Sequence, residues 1–576
     1  MHATLEAAAA RFRTCTVTGL RVNLDSERLI KANAVAAVVA MLVGAIAAIL
    51  LVLTRWQAVH LLPADWYYRF LTAHGLNMLI FWIIFFEMAI LYFAGPVVLG
   101  ARQPAPRLAW VAFGLMVVGA LLVEIMVFSG RADVLFTSYP PLRAHPHYYL
   151  GVILFAVGAL IAVSLFFAAL VVAKREATYT GSVPLVTYGG LTAAVIAVIT
   201  LLHGAAVYIP TWLWSMNIGN IDPQVYRMVW WALGHSSQQI NVAAMVAVWY
   251  LLAGLTVGGV VVNEKVSRTA FVLYVLFISM ASAHHLLVDP GMGPAWKIWN
   301  TSYAMYLAVL ASMIHGFTVP AGIESGQRLR GYTNGLFEWL RKAPWSDPGF
   351  SGLWLSLVIF GFLGGITGVT IGTEQINILA HNTLRVTGHF HATVVGGTTL
   401  AFMAVTYYVL PLIFQRRVAF WRMARWQPYV FGGGITTMAI GMILMGILGI
   451  PRRHWDNSFS GSPFPVDIHP AAELVQVVFG LGGLLAATGA LMFIAIAVAT
   501  VFFGKPLTAE AIAAKASGIP QGVLALPAQV HSGPHATRLH AEGVRGTIVL
   551  VAIFFVCFIL YYFTNWKMLS FLWKVG

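Results

Sequence analysis

Two imidazoles stand two residues apart in Gly388-His389-Phe390-His391. At about 100° per residue on a helix, side chains at i and i+2 point about 200° apart, so each ring can bind a different group, with the helix between them. Three further motifs carry the same side chain: His284-His285, the His235 of Trp230-Trp231-Ala-Leu-Gly-His235, and His74. All six lie in or beside strongly apolar runs. A lone histidine in such a run can be satisfied by a carbonyl on the next helix. Clusters are different, because ionisable side chains inside a bilayer are costly and mark function. Neutral imidazole is a ligand for iron, copper and zinc.

The elements that must position these rings are membrane helices. Thirteen runs are long enough to cross a bilayer, which takes roughly 20 residues: 34–53, 71–95, 108–128, 148–173, 187–212, 225–253, 269–288, 299–322, 352–379, 384–414, 427–449, 473–503 and 545–564. The chain is read as an all-α integral membrane bundle, one domain over 1–576, with no internal repeat. Lys and Arg gather in alternate connections: Arg11 to Lys31, Lys174 and Arg175, Lys265 and Arg268, Arg328 to Lys342, and Arg416 to Arg425. That is the positive-inside asymmetry, and it predicts a cytoplasmic N-terminus in the cytoplasmic membrane of a prokaryote. Even-numbered helices then run inward and odd ones outward, so His74, His389 and His391 start even helices while His284 and His285 end an odd one. His235 lies about 15 Å into its helix. Six histidines on four helices converge on the outer half.

Six imidazoles at one level divide naturally into two axial ligands of a low-spin heme, one proximal ligand of a second heme, and three ligands of a mononuclear metal. Arg452-Arg453, in the outer connection between helices 11 and 12, is placed to receive heme propionates.

Composition excludes other classes. Of the 576 residues 59% are hydrophobic and 9% charged, against about a quarter charged in soluble domains. The formal charge of +14 is topological, and it argues for orientation in lipid and against nucleic acid. The two cysteines, Cys15 and Cys557, give no disulfide framework, no CxxCH heme attachment and no Cys-rich metal site. Residues 1–30 lack the apolar core of a cleavable signal.

The set His74, WWxxGH, HH and HxFH resembles subunit I of the heme-copper oxidases, especially their B-type branch. Also similar are Ser138-Tyr-Pro-Pro-Leu-Arg143, His284-His-Leu-Leu-Val-Asp-Pro-Gly291, His381-Asn-Thr and Pro451-Arg-Arg453, so the likeness runs through nearly the whole chain. The resemblance implies that His74 and His391 ligate a low-spin heme, that His389 is the proximal ligand of a high-spin heme, and that His235, His284 and His285 hold a non-heme copper or iron, with copper favoured. It places His381, Arg452 and Arg453 beside heme propionates.

The chain departs from that branch where chemistry is decided. B-type oxidases carry a tyrosine, cross-linked to the helix-6 histidine, one turn after it; here that position is Gln239. C-type oxidases supply the tyrosine from helix 7, at the position of Ile278. In the family this tyrosine supplies an electron and a proton to O2 cleavage, and glutamine can do neither. Joining two NO into N2O needs only two electrons and two protons, so the loss favours nitric oxide reduction over a B-type-like reduction of O2 to water. Gln239, at i+4 from His235 and so on the same helix face, is expected to donate a hydrogen bond or to offer its oxygen to the metal. The glutamate of better-known nitric oxide reductases is absent too, since no acid follows His235 before Glu264.

Tyr250, Ser312, His315 and Thr318 resemble the B-type proton channel, with His315 where a hydroxyl is usual, placed to relay protons or to approach the metal, and with Val246 in place of another tyrosine. Glu87 and Glu124 are intramembrane acids without an assigned partner. Electrons are expected from a partner subunit, copper-bearing or of cytochrome c type. A non-enzymatic heme module is the reading from another class, and it leaves His235, His284 and His285 without a metal.

Overall fold

In the computed structural model the described residues are 11–15, 19–278, 282–459, 463, 468–520 and 543–572. Among the described residues twelve helices are long and apolar enough to cross a membrane. With one shorter helix, α7, between the sixth and seventh of them, the chain order is α1 (Leu24–Arg55), α2 (Ala64–Val97), α3 (Pro106–Phe128), α4 (Pro146–Arg175), α5 (Leu185–Ser215), α6 (Pro223–Val257), α7 (Glu264–Leu273, continuing through Ile278), α8 (Pro294–Leu329), α9 (Pro348–Ile371), α10 (Leu384–Phe414), α11 (Trp421–Ile447), α12 (Ala471–Phe503) and α13 (Arg545–Leu572). The chain is therefore a multi-pass, all-α membrane bundle.

Two expected runs differ from their helices. The run at 269–288 is helical from Glu264 to Ile278 and resumes as one tight turn over Ala283–His285; residues 279–281 lie outside those described. The run at 352–379 breaks at Gly372, where α9 ends, and restarts as a short helix, Glu374–Ala380. A small antiparallel hairpin, β1 (Phe12–Thr14) with β2 (Arg21–Asn23), precedes α1. It had no hydrophobic alternation to announce it.

Helix starts follow local chemistry. Asp222 accepts from the N–H groups of Gln224 and Val225 ahead of Pro223, so α6 begins with its orphan donors satisfied. Asn23 does the same for α1. In lipid the helices attract one another by close packing, since tails are as apolar as leucine. Small residues permit it: a Cβ on Gly434 of α11 would lie 2.2 Å from the Ala486 nitrogen of α12.

At one end of the bundle the connections lock together. Arg55, closing α1, donates to the carbonyls of His454 (2.6 Å) and Pro451 (3.0 Å). Leu384, opening α10, donates to Ile450 O at 2.9 Å. Tyr226 of α6 donates to Thr137 O at 3.0 Å. The end of α1 and the start of α10 thus meet the 448–459 connection, and Arg453 of that connection lies over Tyr139, which packs on Tyr226 at the start of α6.

Candidate metal centre

Widened, π-type turns occur within the helices next to the histidines: Asn77–Phe81 follows His74, Ile359–Gly365 faces His389, and His391–Thr399 opens at His391 itself. Such turns take carbonyls out of the regular ladder and concentrate at functional sites. One such carbonyl, Gly364 O, lies 2.9 Å from His389 Nδ1, with Thr367 Oγ1 3.2 Å away.

The same arrangement recurs on two other rings. His74 Nδ1 lies 3.0 Å from Gly44 O, and His391 Nδ1 lies 2.9 Å from Thr387 O. A carbonyl can only accept, so each Nδ1 carries the proton and each Nε2 keeps its lone pair. A carbonyl on the far ring nitrogen fixes the tautomer and orientation of a metal-binding imidazole in this way. The His74 and His391 planes lie within 9° of parallel, with centroids 6.4 Å apart. Metal–imidazole bonds of about 2.0–2.1 Å put the two bonded nitrogens about 4 Å apart. Adding the depth of each ring matches the observed spacing, so this pair fits an axially ligated iron.

His389 faces the other way, onto α9, as the i, i+2 argument requires. Gly368 makes room for it: a Cβ there would stand 2.6 Å from His389 Cε1.

The third group lies between α6 and the turn before α8. The ligand atoms of His235, His284 and His285 all fall within 4.8 Å of one another. His235 Nδ1 lies 3.1 Å from His285 Nε2; two imidazole nitrogens so close either share a proton or converge on a cation. The turn is held by Asn300 Oδ1, which accepts from the His284 N–H at 3.1 Å. Trp231 stacks on His285 at 3.8 Å and 6°. This support was missed in the sequence, although Trp231 stands four residues before His235.

Gln239 reaches the remaining nitrogen of His235, with its amide nitrogen 3.2 Å from Nε2. Its Oε1 is buried and has no hydrogen-bond partner among the described residues, which leaves a lone pair for a metal or a water. The ring partners of His235 and His285 among the described residues are histidines and Trp231, with no tyrosine.

All six histidines line one cavity of about 680 Å³, together with Gln239, His381, Arg452 and Arg453. Its walls are otherwise mostly aliphatic and aromatic, as ligand sites are. The cations carry information of their own. Arg227 pairs with Asp289 at 2.7 Å, but no carboxylate among the described residues pairs with Arg452 or Arg453. Arg452 instead uses Asn382 Oδ1, at 2.9 Å. Burial, with Arg453 alongside, pushes the Arg452 guanidinium down to about 9. Burial, reinforced by Arg452, pushes His381 down to about 4. Cations gathered without matching anions make a site for acidic groups such as propionates.

Below the histidines, the residues resembling a proton channel do meet. The Tyr250 hydroxyl lies 2.6 Å from Thr318 Oγ1 and 2.9 Å from His315 Nδ1, and it donates to Ser267 at 3.0 Å. Ser312 pairs with Tyr274 at 3.0 Å and lines the cavity. Ser267 and Tyr274 are additions the sequence did not single out. His315 is fully buried and packs on Phe271, Tyr274 and Tyr250. Its hydrogen bond and its ring contacts join it to the Tyr250 group. Glu124 accepts from Asn77 Nδ2 at 2.7 Å, a partner that the sequence had not supplied.

Comparison with known proteins agrees with this geometry. Residues 28–485 match the family described as cytochrome c and quinol oxidase polypeptide I. The cytochrome c oxidase subunit 1 of Thermus thermophilus is 31% identical over 440 residues, covering 74% of this chain and 75% of that one. The quinol oxidase subunit 1 of Bacillus spizizenii is 23% identical over 423 residues, 68% of this chain and 60% of its own length. A heme-copper terminal oxidase solved as a dimer by cryo-EM superposes with a TM-score of 0.79 at 25% identity, covering 93% of this chain and 92% of that one. With its histidines paired, singled and tripled around one cavity and its sequence matched over most of its length, the chain belongs to the heme-copper oxidase subunit I family.

Proposed function

We propose that the chain is the catalytic subunit of a membrane-bound nitric oxide reductase, which joins 2 NO with two electrons and two protons into N2O and water. His74 and His391 would hold a low-spin heme, His389 a high-spin heme, and His235, His284 and His285 a copper or, failing that, an iron. Bound there, these groups supply the one-electron redox chemistry that no amino-acid side chain of the site offers. Arg452, Arg453 and His381 would bind the propionates.

The observation that carries the choice of gas is the contact on His235 Nε2, which is an amide. An amide neither gives up an electron nor ionises, so this site lacks the phenol that O2 cleavage draws on in the family. The chain's own contribution is positional. Gln239 orients His235, with Oε1 available to the metal; Trp231 fixes His285; apolar walls keep bulk water away. Tyr250, His315 and Thr318 pass protons toward the cavity. Electrons would come from a partner subunit, copper-bearing or of cytochrome c type, at the face that holds the 448–459 connection. That face would be external, with the N-terminus cytoplasmic, in a prokaryotic cell membrane.

A second reading, terminal reduction of O2 to water, is favoured by the oxidase names of the relatives. Turnover of both gases by one purified preparation, with a chemical reductant, separates them. One N2O formed for every two NO, with slow O2 consumption, is expected. Rapid O2 reduction with no N2O would overturn the proposal.

A further inference from the structure

Glu87 of α2 lines the same cavity as the six histidines and is 5% exposed. No Lys or Arg pairs with it among the described residues. An intramembrane acid is costly and is retained where it does work. Its neighbour is Asn241 of α6, itself 3% exposed. The orientation of an amide is assigned from its network: with its nitrogen toward α2, Asn241 donates to Glu87 Oε1 at 2.9 Å and to Ser237 O at 3.3 Å. The other amide atom of Asn241 lies 3.2 Å from the Gln238 side chain, and Gln238 lies 3.2 Å from Ser237 Oγ. Gln238 and Ser237 both line the cavity. On α6 these residues climb from Asn241, about 9 Å past His235, to within a turn of it.

The Tyr250 relay is a different set of side chains, nine residues farther along α6, or about 13 Å. The carboxyl at the cavity wall is thus held by the Asn241 amide, apart from the Tyr250 group, whose Tyr250, His315 and Thr318 do not line the cavity.

We infer that Glu87 is a proton-carrying group of the reaction cavity, independent of the Tyr250 relay. The acid releases a proton to cavity water beside Gln238 and Ser237, the Asn241 amide holds the resulting carboxylate, and solvent water returns the proton before the next turnover. The inference rests on the cavity being the reaction site. It holds for either gas, because both reductions consume protons, so its failure leaves the choice of gas untouched.

The test is infrared difference spectroscopy of the purified holoenzyme, reduced minus oxidised, beside turnover with a chemical reductant. The wild type should show a carboxyl C=O band that shifts in 2H2O; Glu87→Gln should lose that band and turn over about tenfold slower or worse, with unchanged heme spectra. Glu87→Asp should restore both in part. A structural role alone would lower turnover and leave the carboxyl bands in place, and that result overturns the inference, as does turnover within twofold of wild type. If Glu87→Gln does not assemble, Asn241→Ala serves instead: it should move the band without abolishing it, and an unmoved band overturns the inference.

Discussion

The side-chain amide of Gln239 meets His235 Nε2 at 3.2 Å, so the imidazole at the heart of the triple-histidine group is oriented from one side by an amide and faces His285 with its other nitrogen. A supporting contact of this kind tunes a metal ligand without replacing it. Gln239→Ala should keep the non-heme metal and both hemes, and lower NO turnover by about 10- to 100-fold. Metal analysis and N2O measurement on the same sample check this. Unchanged turnover would remove Gln239 from the site's working parts.

Gly368 permits His389 to stand where it does. A methyl group there would lie 2.6 Å from Cε1, a distance that forces the ring to move. Gly368→Ala should lose the high-spin heme signal and retain the low-spin one, since His74 and His391 lie on the other side of α10. Optical spectra of the purified variant decide it, and a normal high-spin signal counts against His389 as the proximal residue.

The Tyr250 hydroxyl joins Ser267, His315 and Thr318. Removing it breaks the relay and leaves the packing of the ring. Tyr250→Phe should slow turnover about a hundredfold at unchanged heme content, and His315→Leu should do likewise. Turnover of these variants that does not slow when 1H2O is replaced by 2H2O would contradict a proton-limited step.

His381 gives a pH signature. Its folded-state value of about 4, lowered by burial first and then by Arg452, lies below the usual 6.5 or so. The fold therefore favours the neutral ring: the contribution is complete above about 6.5, and it is lost as pH falls from there to about 4. Thermal unfolding followed across that window should fall less steeply for His381→Gln than for wild type. Parallel curves would show that His381 does not sense this environment.

Much of this was legible in the residues. Thirteen apolar runs and the i, i+2 histidines of α10 carried the bundle and the two-sided helix, because periodicity and hydropathy are local properties. The turn at Ala283–His285 was not legible, since Ala283 to Leu287 reads as more of the same apolar helix. Nor were the carbonyls of Gly44 and Gly364, which orient His74 and His389 through backbone atoms that no residue type advertises. The partners of Glu87 and Glu124 are asparagines on other helices, and such pairings depend on how helices rotate against each other. His315 is a similar case: the residue type alone could not say that its ring would meet Tyr250, Phe271 and Tyr274.

The division of six histidines into a pair, a single and a triple is the claim on which the rest stands, and counting what the purified chain binds tests it most directly. Heme and metal should be measured per chain in wild type and in His285→Ala. Two hemes and one non-heme copper or iron are expected in the wild type, with the non-heme metal lost and both hemes kept in the variant. A wild type with fewer than two hemes, or a variant that keeps its non-heme metal, would contradict the account.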